Sequence, residues 1–281
     1  MIQAVLGSKS AGCEYSEDML TSTVFGALRY LPKEVLISFL ESSFIYNGER
    51  LKLWKHLRDD RYELRGYRKI KYCFWPRHKK NGEPDLILLF SDHVHEQADL
   101  MLLIEVKFKS EKSSTGKNDQ LKKYYEAIKF NLSEFNESEI SNFKGEKKYF
   151  LYLTEADAHL EIEESLKELK KSHANFSDYI FHLRWQQLFK ILESNHSNLS
   201  STDKIILEDL MDFLKNIGLR DFAGITLPDK KLQDKVQGTH PIFYFKQPVL
   251  TIESFHTYFK KLTKVNIPNH KPIFFRRVIN E

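Results

Sequence analysis

Apolar positions along the chain follow two different rhythms, and the points where one gives way to the other mark its elements. Residues 17–30, EDMLTSTVFGALRY, put Leu20, Val24, Ala27 and Leu28 on one face at helical spacing, and LPKEVLISFLESS opens a second helix near Pro32. From Ile70 the texture changes. IKYCFWP is rich in aromatic and β-favouring residues, NGEP supplies turn chemistry, and DLILLF follows as a second strand. After the polar SDHVHEQAD comes LMLLIEVKF, a third strand that pairs with the second as a hairpin. The polar KSEKSSTGKN then leads into DQLKKYYEAIKFNL, a helix with Asp119 as its cap and Leu121, Tyr124, Tyr125 and Ile128 on its apolar face. KKYFLYLTE reads as a strand, EIEESLKELKKS as an amphipathic helix and YIFHLRW as another strand. WQQLFKILES and DKIILEDLMDFLKNIG are two further helices, the second closing at Gly218. The tail carries strand-like PIFYF, helical IESFHTYFKKL and strand-like PIFFRRV.

Helices, three strands, then helix, strand, helix, strand is the order of an α/β fold: a mixed β-sheet flanked by helices. With 281 residues, 41% of them hydrophobic, the chain can bury a large core. No repeat or linker marks a clean domain cut, and the expected division is a core over 1–185 with a helical and mixed C-terminal extension over 186–281, packed on that core. The longest apolar runs, 86–90 and 101–104, fall far short of the roughly 20 residues that span a bilayer. MIQAVLGSKS has neither the basic start nor the long apolar core of a secretory signal. Cys13 and Cys73 are too few for a disulfide framework and lack metal-ligand spacing, so the expected compartment is the cytoplasm. A net charge of +4 permits contact with an acidic polymer without requiring it. No phosphate-binding GxxxxGK[ST], no GxGxxG after a strand and no GxSxG is present, which argues against nucleotide hydrolysis, dinucleotide binding and serine-type acyl transfer. An ATP-driven step would need a partner protein.

What does not fit an ordinary core is charge inside the apolar runs. Asp85 precedes Leu-Ile-Leu-Leu-Phe, and Glu105 and Lys107 interrupt Leu-Leu-Ile-Glu-Val-Lys-Phe. Residues two apart on a strand face the same side, so Glu105 and Lys107 project together and Asp85 joins them from the neighbouring strand. Among 39 acidic and 43 basic residues an E-x-K triplet usually marks a surface ion pair. Its position in a strand with apolar residues on both faces changes that reading, because buried charges persist where they pair, bind a metal or do chemistry. Two carboxylates on one face supply the hard oxygen ligands that Mg²⁺ prefers while leaving positions for water and phosphate. A lysine beside them can orient or help deprotonate that water.

Pro84-Asp85 and Glu105-Val106-Lys107 resemble the signature of the PD-(D/E)XK nuclease superfamily, and QLKKY at 120–124 is similar to the Q-x-x-x-Y motif of its RecB-like branch. The resemblance implies a restriction-endonuclease-like core and a metal-dependent nuclease that hydrolyses phosphodiester bonds of DNA, with Mg²⁺, or Mn²⁺ in its place, as cofactor. Asp85 and Glu105 would hold the metal, Lys107 would position the attacking water, and Gln120 and Tyr124 would support the site. SEDMLTSTVF is similar to the opening helix on which such enzymes carry a further acidic ligand; Glu17 is the choice, with Glu14 and Asp18 as its neighbours. HLRWQQLFKIL and ILEDLMDFLKNIGLRDFAG resemble C-terminal portions of nuclease-like proteins found among bacterial antiphage functions. A homodimer would allow both strands of a duplex to be cut.

The stretch 65–80, RGYRKIKYCFWPRHKK, interleaves basic residues with Tyr67, Tyr72, Phe74 and Trp75. Arg68, Lys69, Lys71 and Arg77 are candidates for backbone phosphate contacts, together with Lys109, Lys112 and Lys117 in the basic segment after the signature strand. The aromatics read first as a core strand and second as base-stacking groups. His93 and His95 fit a solvated hairpin tip better than a transition-metal site. Two alternatives stand beside the leading reading: a non-catalytic nucleic-acid-binding or assembly subunit of the same fold, and an RNA nuclease.

Overall fold

The computed structural model describes residues 16–45, 64–92, 97–108, 118–173 and 180–219. The chain separates into two units, Met1–Phe222 and Ala223–Glu281, and every described residue belongs to the first. Glu14, His93, His95, Lys109, Lys112, Lys117 and the three elements expected in the tail lie outside the described residues.

Helices α1 (Glu17–Leu28) and α2 (Lys33–Glu41) lead to a two-residue strand β1 (Phe44–Ile45). Strands β2 (Lys69–Phe74), β3 (Leu86–Ser91) and β4 (Ala98–Val106) follow, then α3 (Gln120–Phe130) and a single turn, α4 (Ser138–Ser141). The remainder is β5 (Lys147–Thr154), α5 (His159–Ser172), β6 (Ile180–Arg184), α6 (Trp185–Asn195) and α7 (Ser201–Asn216). The six strands form one mixed sheet in the order β1-β6-β5-β4-β3-β2. β2, β3 and β4 are antiparallel neighbours, with β3 and β4 paired as the expected hairpin, while β4, β5 and β6 run parallel. Parallel pairing demands crossover connections, and α3 and α5 supply them. Among the described residues no helix is long and apolar enough to cross a membrane.

Strands β3 and β4 are covered on both faces, which explains their continuous apolar runs. Leu86, Leu88 and Phe90 of β3 and Leu100, Leu102, Ile104 and Val106 of β4 pack with α1, α2, α6 and α7. The alternate residues Ile87, Leu89, Met101 and Leu103 pack with Leu121, Tyr124, Tyr125 and Ile128 of α3 and Ile162 and Leu169 of α5. Glu105 and Asp85 share the parity of this second set, so they belong to the face that α3 covers. The α6 and α7 helices share one apolar cluster with α1 and α2.

Helix starts are set by local chemistry. The Ser16 hydroxyl accepts from the Met19 N–H at 3.0 Å, which makes Glu17 the first residue of α1, beside the positive end of its dipole. Asp119 caps α3 by accepting from the Lys122 N–H at 2.8 Å, and its other oxygen accepts from the Ser165 hydroxyl of α5 at 3.0 Å. The α7 helix ends where Gly218 takes a φ of 83°, with the Leu219 N–H bonded back to the Leu214 carbonyl at 2.9 Å.

The connector from β2 to β3 is pinned by a buried histidine. His78 Nδ1 accepts from the N–H groups of Lys80 and Asn81, at 3.2 and 3.0 Å, so the ring is neutral with its proton on Nε2, which donates to the Asn131 carbonyl at 3.1 Å. Burial holds its pKa below the usual histidine value, in keeping with that tautomer. At the head of this connector Trp75 takes a φ of 47°, the one positive value outside glycine among the described residues. Such a conformation costs about 1–3 kcal/mol for a bulky side chain.

Gly145, between α4 and β5, fits only because it has no side chain: a Cβ there would lie 2.5 Å from Phe143 Cζ and 2.8 Å from the Asp99 carbonyl carbon, and closer still to the Asp99 oxygen. Backbone at the start of β4 cannot retreat without disturbing its ladder. Gly145→Ala is therefore expected to lower stability by about 1–3 kcal/mol, measured as a fall in the urea midpoint at unchanged slope; an unchanged midpoint would contradict it.

Candidate active site

Three charged side chains meet at the end of the sheet where β3 begins and β4 finishes. Asp85 is 8% exposed, Glu105 2% and Lys107 6%. The Asp85 main chain is held by the Trp75 N–H, which donates to its carbonyl at 3.0 Å, and its Oδ2 accepts from the Val106 N–H at 2.8 Å. The carboxylate thus grips the strand that carries Glu105. Lys107 continues β4 by donating its N–H to the Leu153 carbonyl at 2.8 Å.

Lys107 Nζ lies 3.2 Å from Glu105 Oε1 and donates to Glu17 Oε2 at 3.0 Å. The other oxygen of Glu17 accepts from the Phe108 N–H at 3.2 Å. Of the three acids considered for the opening helix, Glu17 is the one brought to the lysine, Asp18 is exposed and Glu14 lies outside the described residues. Gln120 Nε2 donates to Glu105 Oε1 at 2.7 Å and lies 3.5 Å from the Tyr124 hydroxyl, which donates to the Glu83 carbonyl at 3.1 Å. Gln120 and Tyr124 are one helical turn apart, so a single face of α3 touches the carboxylate and the backbone two residues before Asp85.

Glu105 is served unevenly. Its Oε1 faces two donors, whereas its Oε2 is buried without a hydrogen-bond partner, as is Gln120 Oε1. Asp85 and Glu105 are close enough for each to act on the other's ionisation. Burial pushes Asp85 up to about 6, against the opposing pull of the Val106 N–H and Lys107. Glu105 is driven further above the usual carboxylate range, first by burial and then by the charge of Asp85. For Lys107 burial opposes the charge, but Glu105 and Glu17 outweigh it and the amine is held as a firm cation, well above the usual lysine value. Among the described residues no three His, Cys, Asp or Glu side chains are grouped to hold a metal. An ion at this site would draw on Asp85 and Glu105, with Glu17 bound to Lys107 and Phe108. That donor set fits a hard divalent cation, which commonly takes one or two carboxylates and completes its shell with water and phosphate oxygens. The orphaned Glu105 Oε2 is the vacant donor such an ion requires.

Trp185, and the second bond of the expected cap Asp119, escape sequence reasoning. Trp185, fully buried at the start of α6, donates its indole N–H to the Lys107 carbonyl at 3.3 Å, and Asp119 ties the α3 start to α5 through Ser165. The signal for Trp185 is chemical: a buried indole seeks an acceptor. Nothing in the chain says which one.

The basic candidates that are described lie on the sheet edge. Arg68, Lys69, Lys71 and Arg77 are all exposed. Lys71 pairs with Glu139 at 2.5 Å, and the Arg77 N–H donates to Glu137 Oε1 at 3.3 Å. An exposed pair of this kind is screened by solvent and exchanges readily for another anion. Comparison of the chain with family models, curated proteins and solved structures found no match.

Because its folded pKa stands above its ordinary 3.8, Asp85 favours folding in its neutral form: that contribution is complete below about pH 4 and is lost as pH rises through about 6. Asp85→Asn is neutral at every pH and keeps an acceptor for Val106. It is expected to match wild type near pH 4 and to exceed it by about 2–3 kcal/mol above pH 7, read from urea denaturation across that range. A variant less stable than wild type at pH 7.5 would contradict the stated origin of the shift.

Proposed function

We propose that the protein is a metal-dependent nuclease with a restriction-endonuclease-like core of the PD-(D/E)XK type, and that Asp85, Glu105 and Lys107 form its reaction centre. The observation that carries this reading is the charge count of the site. Three carboxyl groups, Glu17, Asp85 and Glu105, surround one ammonium, Lys107. Fully ionised, the group holds two uncompensated negative charges in a buried place, which a divalent cation would neutralise. Without one, the same surroundings keep Asp85 and Glu105 protonated more readily than free carboxyls.

Asp85 and Glu105 would hold Mg²⁺ or Mn²⁺, and ionise fully as it binds. The bound ion would supply an acidified water and offset charge on the phosphate. Lys107 keeps its proton, so its part is donation rather than base catalysis: two of its three N–H bonds serve Glu105 and Glu17, and the third is available to orient a water or a phosphate oxygen. Gln120 fixes the rotamer of Glu105, and Tyr124 holds the backbone that presents Asp85. The substrate of this reading is DNA, with RNA as its alternative, and a role in antiphage defence rests on the resemblance of the sequence.

The test uses plasmid and single-stranded DNA with Mg²⁺, Mn²⁺ or EDTA. Cutting is expected with either metal and not with EDTA, and Asp85→Ala, Glu105→Gln and Lys107→Ala should each slow it by about 10²-fold or more. Full cutting by Asp85→Ala removes this site from the chemistry. DNA binding without metal-dependent cutting favours the binding-subunit reading. A second readout needs no turnover. Mg²⁺ should raise the melting temperature of wild type and leave that of Asp85→Asn unmoved; equal shifts in both would place the ion elsewhere.

A further inference from the structure

Trp75 carries two local penalties that a smaller residue would avoid. Its backbone sits in the left-handed region that Asn or Gly occupies readily, at a φ of 47°, and its indole N–H is buried without an acceptor. Its own N–H is bonded to the Asp85 carbonyl, so the strained residue is fastened to the start of the strand that bears the acid. Strain maintained at such a place points to a task for the side chain.

The ring does not stand alone. Phe74 lies with its centroid 5.5 Å from that of Trp75, and Tyr72 stacks on Phe74 at 6.3 Å with their planes 20° apart. All three are half-buried, unlike Tyr67 and Phe90, which meet at a tilt inside the core. Tyr72 and Phe74 rest against the cluster that contains α1. At the far end of the row Arg29, which closes α1, is near enough for its charge to act on the Tyr72 hydroxyl, and it has no acidic partner among the described residues. The row therefore starts beside a cation and ends at Trp75, whose N–H holds the Asp85 main chain at the start of β3. Arg68 and Lys69, at the start of β2, are exposed.

We propose that Tyr72, Phe74 and Trp75 form a stacking track for the unpaired bases of a single-stranded polynucleotide, with Arg29 on its backbone and the sheet end that carries Asp85 beyond Trp75. Ring faces contact bases only where the bases have left a duplex, so the track selects single strands over paired ones. It deepens the nuclease reading, on which it rests for its destination; the stacking itself does not depend on cleavage.

The experiment measures fluorescence anisotropy of labelled oligo-dT and oligo-rU of about 12 nucleotides, and of a duplex of the same length, with the full chain at low salt in EDTA. Trp75→Asn suits the left-handed backbone and Tyr72→Leu keeps an apolar side chain against the core, so both should fold, which thermal melts verify. Wild type is expected to bind the single strands at least about tenfold more tightly than the duplex, and each variant to lose about 5- to 100-fold on single strands with little change on duplex. Equal losses on oligo-dT and oligo-rU fit base stacking, which ignores the sugar. Preference for the duplex, no single-strand binding, or unchanged affinity in both folded variants overturns the track. Single-strand binding that needs Trp75 and Tyr72 upholds it even where plasmid cutting is absent. Metal-dependent cutting with unaltered variants leaves the nuclease and removes the track.

Discussion

One tripeptide at the end of β4, Glu105-Val106-Lys107, is the meeting point on which the organisation of this fold depends. A carboxyl that is 2% exposed and an amine that is 6% exposed can share a sheet end only if their surroundings answer both charges. The answer comes from elements far apart in the chain. Glu17 of α1 receives the ammonium, Gln120 of α3 donates to the carboxylate, Asp85 before β3 takes the Val106 N–H, and Trp185 of α6 donates to the Lys107 carbonyl. Helices on both sheet faces are thus tied to one strand end by polar bonds, in addition to the apolar packing that covers the rest. Truncating any one partner leaves a buried polar group exposed to no water, which is why these contacts fix position as well as energy.

The same arrangement is under electrostatic strain. The apolar layers beneath it, with Leu86, Leu88, Leu102 and Ile104 on one face and Ile87, Met101 and Leu103 on the other, contribute a dry core that tolerates a costly end. A site with Asp85 pushed up to about 6 is less stable at neutral pH than a neutral replacement would be. Proteins commonly keep such groups where function and stability oppose each other.

Much of this was legible in the chain because it depends on period and reach. Apolar runs announced the strands, the spacing of two brought Glu105 and Lys107 to one side, and the spacing of four placed Gln120 above Tyr124. What stayed hidden depends on contacts between distant segments. Phe44 and Ile45 form a strand only by pairing with Phe181 and His182, too short a run to show any period. Lys71 reads as a free basic residue until Glu139 is found beside it. Gly145 carries no pattern at all; its requirement comes from the backbone of Asp99. Nothing in the sequence singles out His78, yet it binds three backbone groups and steadies the connector that leads to Asp85.

That connector shows how position and chemistry are joined. A carboxylate placed just before a strand keeps its position only if its main chain is fixed, because a small shift in its Cα would carry the oxygen atoms away from Val106. The structure meets the need from both sides. On one side the Trp75 N–H holds the Asp85 carbonyl; on the other the Tyr124 hydroxyl holds the Glu83 carbonyl. Between them His78 and its partners dock the loop on the segment after α3. Tyr124 therefore belongs to the core and to the site at once: its ring packs against the sheet while its hydroxyl sets the approach to Asp85. The choice between a core aromatic and a site residue, which the sequence poses for Tyr124, has no single answer because the two ends of the side chain do different things.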